Sequence, residues 1–387
     1  MCGIAGWIDF KEDIAQGRDI LESMTDTLKD RGPDGVGYYV SPHVLFGHRR
    51  LIVVDADGGK QPMQKTINGH QYALVYNGEL YNTEELREEL RTQGFTFESY
   101  SDTEVLLCAY ICWGEDALKR LNGIFAFAVW DESEQTVFLA RDPLGVKPLF
   151  YTWRNNALIF GSEIKTLLAH PAVEAVVDRD GLTELFALGP ATAPGSGVFK
   201  GIYEVPPAYF LRVSKDTSAL REYWKPRALE NKETEAEAVE HLHALFIDAV
   251  ERQLVSDVPL CTFLSGGLDS SGITAVAARV FAEQGKQLET YSIDYVDNDK
   301  YFKSSLFQPT PDQVWAEKMA VFSGTKHHTY IERHAALADA LENAVLARDL
   351  PGMADIDSSL YLFCKEIRKK HVVALSGECA DESERTG

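Results

Sequence analysis

The chain is short of positive charge. Its 38 lysines and arginines face 59 aspartates and glutamates, a formal net charge of −21 over 387 residues. That balance excludes a diffuse attraction to nucleic acid or anionic lipid, because both are held by basic surfaces. Any phosphate bound here has to be caught by local backbone and side-chain geometry. Paired cysteines are lacking too: the six (Cys2, Cys108, Cys112, Cys261, Cys364, Cys379) are scattered. Cys108 and Cys112 stand four apart in a helical stretch with no further Cys or His nearby, which argues against a zinc site. The expectation is reduced thiols in a cytoplasmic protein. No apolar run approaches the ~20 residues of a membrane helix. Asp9, Lys11, Glu12 and Asp13 cut short any apolar segment of a signal peptide, so none is expected.

What is present is ordinary globular composition, 45% hydrophobic and 25% charged, in a chain long enough for two domains. Residues 1–10 read as a buried strand, and 19–30 as an amphipathic helix with Ile20, Leu21, Met24 and Leu28 on one face. Apolar β stretches follow at 36–40, 44–47, 51–54 and 72–76, the last ending at Asn77-Gly78-Glu79. Thr83 reads as the cap of a helix to about Gln93, and Ser101-Asp102 as the cap of the next, through Trp113. Strands at 124–130 and 136–140 and a hairpin around Asn155-Asn156 suggest two sheets sandwiched by helices. The polar stretch 214–238 holds the expected boundary between domains at 1–212 and 235–387. Beyond it strand and helix alternate: an apolar strand at 259–264, a helix at 272–284, a strand at 288–294, a helix at 311–322, a strand at 327–331, helices at 335–348 and 358–369, and a strand at 371–375. That rhythm predicts a parallel α/β sheet.

Three stretches carry chemistry. Removal of Met1 in front of a residue as small as Cys2 would leave a cysteine with a free α-amino group. Such a residue holds a nucleophile and a base together, since an α-amine with a pKa of roughly 7.7–8.0 can take a thiol proton. Asn77-Gly78-Glu79 offers an amide, an unhindered backbone N–H and a carboxylate. Arg50 offers a bidentate partner for a carboxylate, and Asp102 an anion at a helix start. Singly these are a turn, a surface charge and a cap. Second, Ser265-Gly266-Gly267-Leu268-Asp269-Ser270-Ser271 lies between an apolar strand and a helix, where anions bind. It contains no lysine, so it is not a Walker loop, and its aspartate suggests Mg²⁺ held together with phosphates. Third, Ser376-Gly377-Glu378-Cys379-Ala380-Asp381-Glu382 follows another apolar strand and would face the same sheet edge. Asp381 could join Asp269 on a metal and Glu378 act as a general base; alone, the cluster reads equally as a solvated helix start.

Met1 to Gly6, Arg31-Gly32-Pro33-Asp34, 50–55, 76–82, Ser101 to Glu104 and 141–149 resemble, in order and spacing, the class II glutamine amidotransferases. With Ser265 to Ser271 and Ser376 to Glu382 the resemblance narrows to glutamine-hydrolysing asparagine synthetases of the bacterial type. It implies an N-terminal-nucleophile αββα sandwich followed by a doubly wound parallel α/β ATP-pyrophosphatase domain. It implies Cys2 as nucleophile of a γ-glutamyl thioester, with Asn77 and the Gly78 amide as oxyanion hole. Arg50, Leu51, Val53, Asn77, Gly78, Glu79 and Asp102 would hold glutamine. Leu264, Ser265, Gly266, Gly267, Asp269, Ser270, Ile293, Ser376 and Gly377 would hold ATP, with Asp269 and Asp381 on Mg²⁺ and Glu378 assisting attack on β-aspartyl-AMP. Ammonia would pass through an internal tunnel. The implied partners are glutamine, aspartate and ATP, with a homodimer as the candidate assembly and neither nucleic acid nor membrane. After Glu382 the sequence leaves the family pattern, so an incomplete synthetase domain with weak or absent ligase activity is expected. The alternative is then a glutaminase alone, or a non-catalytic binding remnant.

Overall fold

The computed structural model describes residues 1–304 and 309–378, and the chain divides into two compact units, Met1–Ala228 and Leu229–Gly387. In chain order the first unit runs β1 (Gly3–Asp9), α1 (Arg18–Asp26), β2 (Gly35–Val40), β3 (Val44–Arg50), β4 (Met63–Ile67), β5 (His70–Leu80), α2 (Thr83–Thr92), α3 (Asp102–Trp113), β6 (Gly123–Asp131), β7 (Thr136–Arg141), β8 (Phe150–Arg154), β9 (Ala157–Gly161), α4 (Ile164–Leu168), α5 (Arg179–Ala187), β10 (Ile202–Glu204), β11 (Tyr209–Ser214) and β12 (Ser218–Glu222). Two six-stranded antiparallel sheets result, ordered β10-β8-β9-β1-β3-β2 and β12-β11-β7-β6-β5-β4. Period-two alternation assigns the faces. On β6, Ala126, Ala128 and Trp130 join Ile4, Ile8, Phe46 and Phe160 between the sheets. Phe125, Phe127 and Val129 point outward to Val105, Leu106 and Ala109 of α3. On the other side α1 lies so close to β3 that a Cβ at Gly47 would stand 2.0 Å from Thr25 Oγ1. The layers are therefore helix, sheet, sheet, helix.

Three local expectations are corrected. Residues 51–54 are apolar but form no strand, because their amides are drawn elsewhere: Leu51 N–H faces Cys2 Sγ at 3.4 Å and Ile52 N–H donates to Asp34 Oδ2 at 2.9 Å. Asn77-Gly78-Glu79 is no strand end; β5 runs on to Leu80, paired with β6 throughout. Thr83 is inside α2 and Asn82 precedes it. The Asn82 side chain gives no cap bond because it is spent on Asn122 N and Arg120 O. Ser101 caps α3, accepting from Glu104 N.

The second unit runs α6 (Glu235–Arg252), β13 (Leu260–Phe263), α7 (Leu268–Glu283), β14 (Glu289–Tyr295), α8 (Asn298–Tyr301), α9 (Asp312–Ser323), β15 (Lys326–Glu332), α10 (His334–Arg348), α11 (Ala354–Ile367) and β16 (Val373–Leu375). Its described strands make one parallel sheet, ordered β15-β14-β13-β16. Leu260 and Leu288 pack on Ala277 and Ala278 of α7, while Cys261 and Tyr291 pack on Phe363 and Ile367 of α11. Both faces are covered, which is why the strands read as continuous apolar runs. Strand order reverses at β13, so the loops after β13 and β16 leave the sheet side by side at its switch point. Among the described residues no helix is long and apolar enough to cross a membrane.

Candidate active sites

The first site is built on β1, β5 and the irregular stretch after β3. Cys2 is half-buried just ahead of β1. Burial pushes its thiol up, and the N–H of Leu51 works against that. Residue 2 is held from behind: Arg31 Nε donates to the Cys2 carbonyl at 2.9 Å, and Arg31 is itself paired with Glu163 at 3.0 Å. The turn that carries Arg31 is packed so closely that a Cβ on Gly32 would lie 2.2 Å from the Arg49 carbonyl carbon. In the sequence the Arg31 to Asp34 string reads as a helix stop and as a mark of the family, with no site role. Its work is to fix the backbone of the nucleophile through Arg31, and of Ile52 through Asp34.

Asn77 is buried, and its Nδ2 has no hydrogen-bond partner among the described residues. An orphaned buried amide donor costs about 1–3 kcal/mol and marks a place where an acceptor is expected. The neighbouring Gly78 N–H points to the same purpose. Opposite Gly78 on β6 is Phe125, whose N–H and C=O both engage Asp142. Gly78 is thus a non-hydrogen-bonded position of that ladder, and its N–H faces the other edge of β5. There β4 pairs only as far as Leu74, Tyr76 N–H is taken by Gln61 Oε1 and Leu80 N–H by Asp102 Oδ2. Gly78 N–H lies between them on an uncovered edge. Any side chain at 78 would collide with Ile124 O at 2.4 Å.

Two carboxylates stand beyond these donors. Asp102 is half-buried and accepts from Tyr76 OH at 2.9 Å and Leu80 N at 3.1 Å. Burial raises its pKa while these donors pull it down. Glu79 is raised by burial and by Asp102, with Lys147 and the chain's terminal amine opposing. Arg50 is buried, but three of its N–H groups go to the carbonyls of Val54, Asp55 and Ala56, at 3.4, 2.5 and 2.6 Å. Only its remaining donors are available to a ligand carboxylate, and its first effect is to shape the 51–56 loop that carries Leu51 and Val53. The nearby His48 sits with Nε2 3.1 Å from Tyr76 O, and burial pushes it down to about 3, so it stays neutral.

The second site lies at the switch point of the parallel sheet. Gly266 adopts φ +86°, and a Cβ there would meet Ala316 N at 2.5 Å, so only glycine turns the chain here. Gly267 caps α7, whose first-turn N–H groups face the loop. Ser265 Oγ lies 3.0 Å from Ser270 Oγ and accepts from Gly267 N at 3.3 Å. Leu264 is buried and its N–H donates to Tyr291 O, which places it beside the strand that carries Ile293. The loop after β16 touches the first: a Cβ on Gly377 would be 2.9 Å from Ser270 N and 3.0 Å from Asp269 Cβ. Ser376 Oγ accepts from Glu378 N at 3.2 Å, and Glu378 is exposed. The structure thus brings Ser265 to Ser270 and Ser376 to Glu378 together. Asp381 lies outside the described residues. Among the described residues no three His, Cys, Asp or Glu side chains gather to hold a metal ion by themselves.

Comparison with known proteins identifies the family. A model of the glutamine amidotransferase domain matches residues 1–224, and one of asparagine synthase matches 241–383. The chain is 57% identical over 383 residues to asparagine synthetase [glutamine-hydrolyzing] 3 of Bacillus subtilis (strain 168), covering 99% of this chain and 62% of that protein. It is 33% identical over 387 residues to asparagine synthetase 1 of the same organism, covering 99% and 58%. It is 30% identical over 403 residues to a putative asparagine synthetase 2 of Methanocaldococcus jannaschii, covering 99% and 75%. The chain spans about three fifths of the length of the two Bacillus relatives. It belongs to the family of glutamine-hydrolysing asparagine synthetases, with an amidotransferase domain followed by an asparagine synthase domain.

Proposed function

We propose that this protein makes asparagine from aspartate, using glutamine as the nitrogen donor and ATP to activate the acceptor. One observation carries the first half: a half-buried cysteine next to Met1, in a unit that also keeps an unpartnered buried amide and a free strand-edge N–H. With Met1 removed, the Cys2 thiol is the nucleophile and its own α-amine the base. A thiol pushed up by burial needs such a base. Sγ attacks the side-chain carbonyl of glutamine, the oxygen takes negative charge, and Asn77 Nδ2 and Gly78 N–H receive it. The α-amine returns the proton to the leaving ammonia, and water hydrolyses the thioester to glutamate. Glu79 and Asp102 receive the substrate's α-ammonium, Arg50 its carboxylate, and the backbone from Leu51 to Val53 lines the pocket.

In the second unit the Ser265 to Ser270 loop and the start of α7 hold the phosphates of ATP, while Leu264, Ile293, Ser376 and Gly377 border the nucleotide. The donor chemistry of this loop fits a Mg²⁺ ion, which usually takes one or two carboxylates and fills its shell with phosphates and water. Asp269 would hold it, with Asp381. A Mg²⁺ there would neutralise phosphate charge as pyrophosphate departs. The aspartate β-carboxylate displaces pyrophosphate to give β-aspartyl-AMP, ammonia attacks its carbonyl, and Glu378 takes the proton as AMP leaves. The test is to supply glutamine, aspartate and Mg-ATP and to follow glutamate, AMP and asparagine. Asparagine and AMP appearing together in equal amounts support the reading. Glutamate without AMP reduces it to a glutaminase, and no glutamate removes it.

A further inference from the structure

The glutamine pocket asks two distant parts of the chain to meet one small head group. Arg50, the last residue of β3, is there for the α-carboxylate, and Asp102, the first residue of α3, for the α-ammonium. β3 belongs to one sheet, while α3 packs on the outer face of the other. In an α-amino acid both groups sit on one carbon, so the two arms have to stand at a fixed separation. Each arm is braced on its own side. The carbonyls of Val54, Asp55 and Ala56 wrap the Arg50 guanidinium, and a Cβ on Gly59 would strike Arg50 Nη2. Ahead of Asp102, Arg87 donates to Ser99 O at 2.8 Å and Ser101 O at 3.4 Å, and Glu104 accepts from Ser99 N at 2.8 Å and Glu98 N at 3.1 Å.

Asp55 joins the two arms. It is 4% exposed, and its carboxylate is divided between them. Oδ1 accepts from Gly58 N in its own loop at 2.8 Å, and Oδ2 from Tyr100 N, two residues before Asp102, at 3.0 Å. Its backbone carbonyl meanwhile accepts from Arg50 Nη2 at 2.5 Å and Gly59 N at 3.0 Å. One residue thus touches the carboxylate arm through its backbone and the ammonium arm through its side chain. The junction is tight, since a Cβ on Gly58 would collide with both Asp55 Oδ2 and Ser99 Cβ. A longer contact runs alongside, with Gln61 Nε2 3.5 Å from Thr103 Oγ1. Asp55 takes φ +50°, a left-handed conformation that aspartate and asparagine enter more readily than other residues with a Cβ. A carboxylate here accepts two backbone N–H groups at once in charge-assisted bonds, which no neutral side chain of that size can do.

We propose that Asp55 is a positioning residue that sets specificity: its carboxylate fixes the separation of Arg50 and Asp102, and so makes the pocket select an amide carried by an α-amino acid head group. The proposal rests on the reading of this pocket as a glutamine site. The test is ammonia release by the full chain from three amides: L-glutamine, 4-aminobutanamide, which lacks the α-carboxylate, and 4-carbamoylbutanoate, which lacks the α-ammonium. Asp55→Asn keeps the size and the backbone preference but turns a donor toward one of the two N–H groups. It raises KM for L-glutamine about tenfold and leaves kcat within about twofold, because Cys2, Asn77 and Gly78 lie on other elements. The trimmed amides engage one arm each, and their kcat/KM changes by less than about twofold. Gly58→Ala, which drives a methyl group between the arms, gives the same pattern. A loss shared equally by all three amides, as general damage would produce, overturns the proposal, and so does an unchanged KM for L-glutamine. Should Asp55→Asn fail to fold by circular dichroism, Gly58→Ala decides by the same criteria. Should the parent turn over the trimmed amides too slowly to measure, Arg50→Gln supplies the comparison. With the carboxylate contact gone, Asp55→Asn costs less than about twofold more in kcat/KM for L-glutamine, and a full tenfold loss in that background overturns the proposal. A parent that releases no ammonia from L-glutamine removes the glutamine reading itself, and this proposal with it.

Discussion

In the first unit the ligand-facing donors sit inside a sheet; in the second they sit just past the end of one. Asn77 and Gly78 belong to β5, which fixes the Asn77 side chain, and the Gly78 N–H is left free because β4 stops short at the level of Leu74. The Ser265 to Ser270 donors belong to a loop, and their freedom comes from a helix that starts there. The first arrangement gives donors fixed by a ladder on one side, which suits an oxyanion that forms for an instant. The second gives a loop of donors at a helix start, set by the left-handed Gly266 and by contact with Gly377, an arrangement that suits a polyanion.

This contrast orders the substitutions. Cys2→Ala should lower glutamate release on the order of 10⁴-fold, while asparagine formation from added ammonia continues. Loss of both activities in a folded protein would mean that the two units do not act separately. Asn77→Ala should lower kcat for glutamate release about 10²- to 10³-fold, with KM little changed. A change confined to KM would move Asn77 from the oxyanion to the substrate's resting contacts. Gly266→Ala forces a Cβ into a left-handed backbone, at about 1–2 kcal/mol for the conformation alone, and against Ala316 N besides. ATP affinity, read by fluorescence titration, should weaken about tenfold with glutamate release intact. Equal binding would show that the loop's glycine serves folding and not phosphate.

The smallest effect lies away from both sites. Thr234 and Glu237 form a reciprocal capping box on the exposed start of α6, with Glu237 Oε2 2.9 Å from Thr234 N. Thr234→Ala should cost about 1 kcal/mol in urea denaturation and change no rate.

The two regions also differ in how much of them was legible beforehand. Ser265 to Ser271 was readable because an apolar strand, two glycines and a helix mark a phosphate loop in the order of residues alone. The helix starts at Leu268, four residues earlier than periodicity suggested, since Leu268 and Asp269 carry no apolar period. Asn77-Gly78 misled in isolation: the same two residues favour turns, and nothing local reveals that β6 pairs through them. The apolar run 51–54 looked like a strand, because a sequence does not show that Cys2 and Asp34 will claim its amides. Arg50 was identified by type, but its debt to the carbonyls of 54–56 is a matter of tertiary geometry. Asp55 lay within a string that marked the family, yet only the fold brings its carboxylate to Tyr100 N.

The account stands on Cys2 as a nucleophile whose own α-amine is the base. The most direct measurement is capture with 6-diazo-5-oxo-L-norleucine, an electrophilic analogue of glutamine, followed by mass spectrometry of the N-terminal peptide. The account predicts one label, on the sulfur of a peptide that begins at Cys2, with glutamate release lost in proportion to labelling. A label on another residue, or glutamine hydrolysis by a chain that still carries Met1, would contradict it.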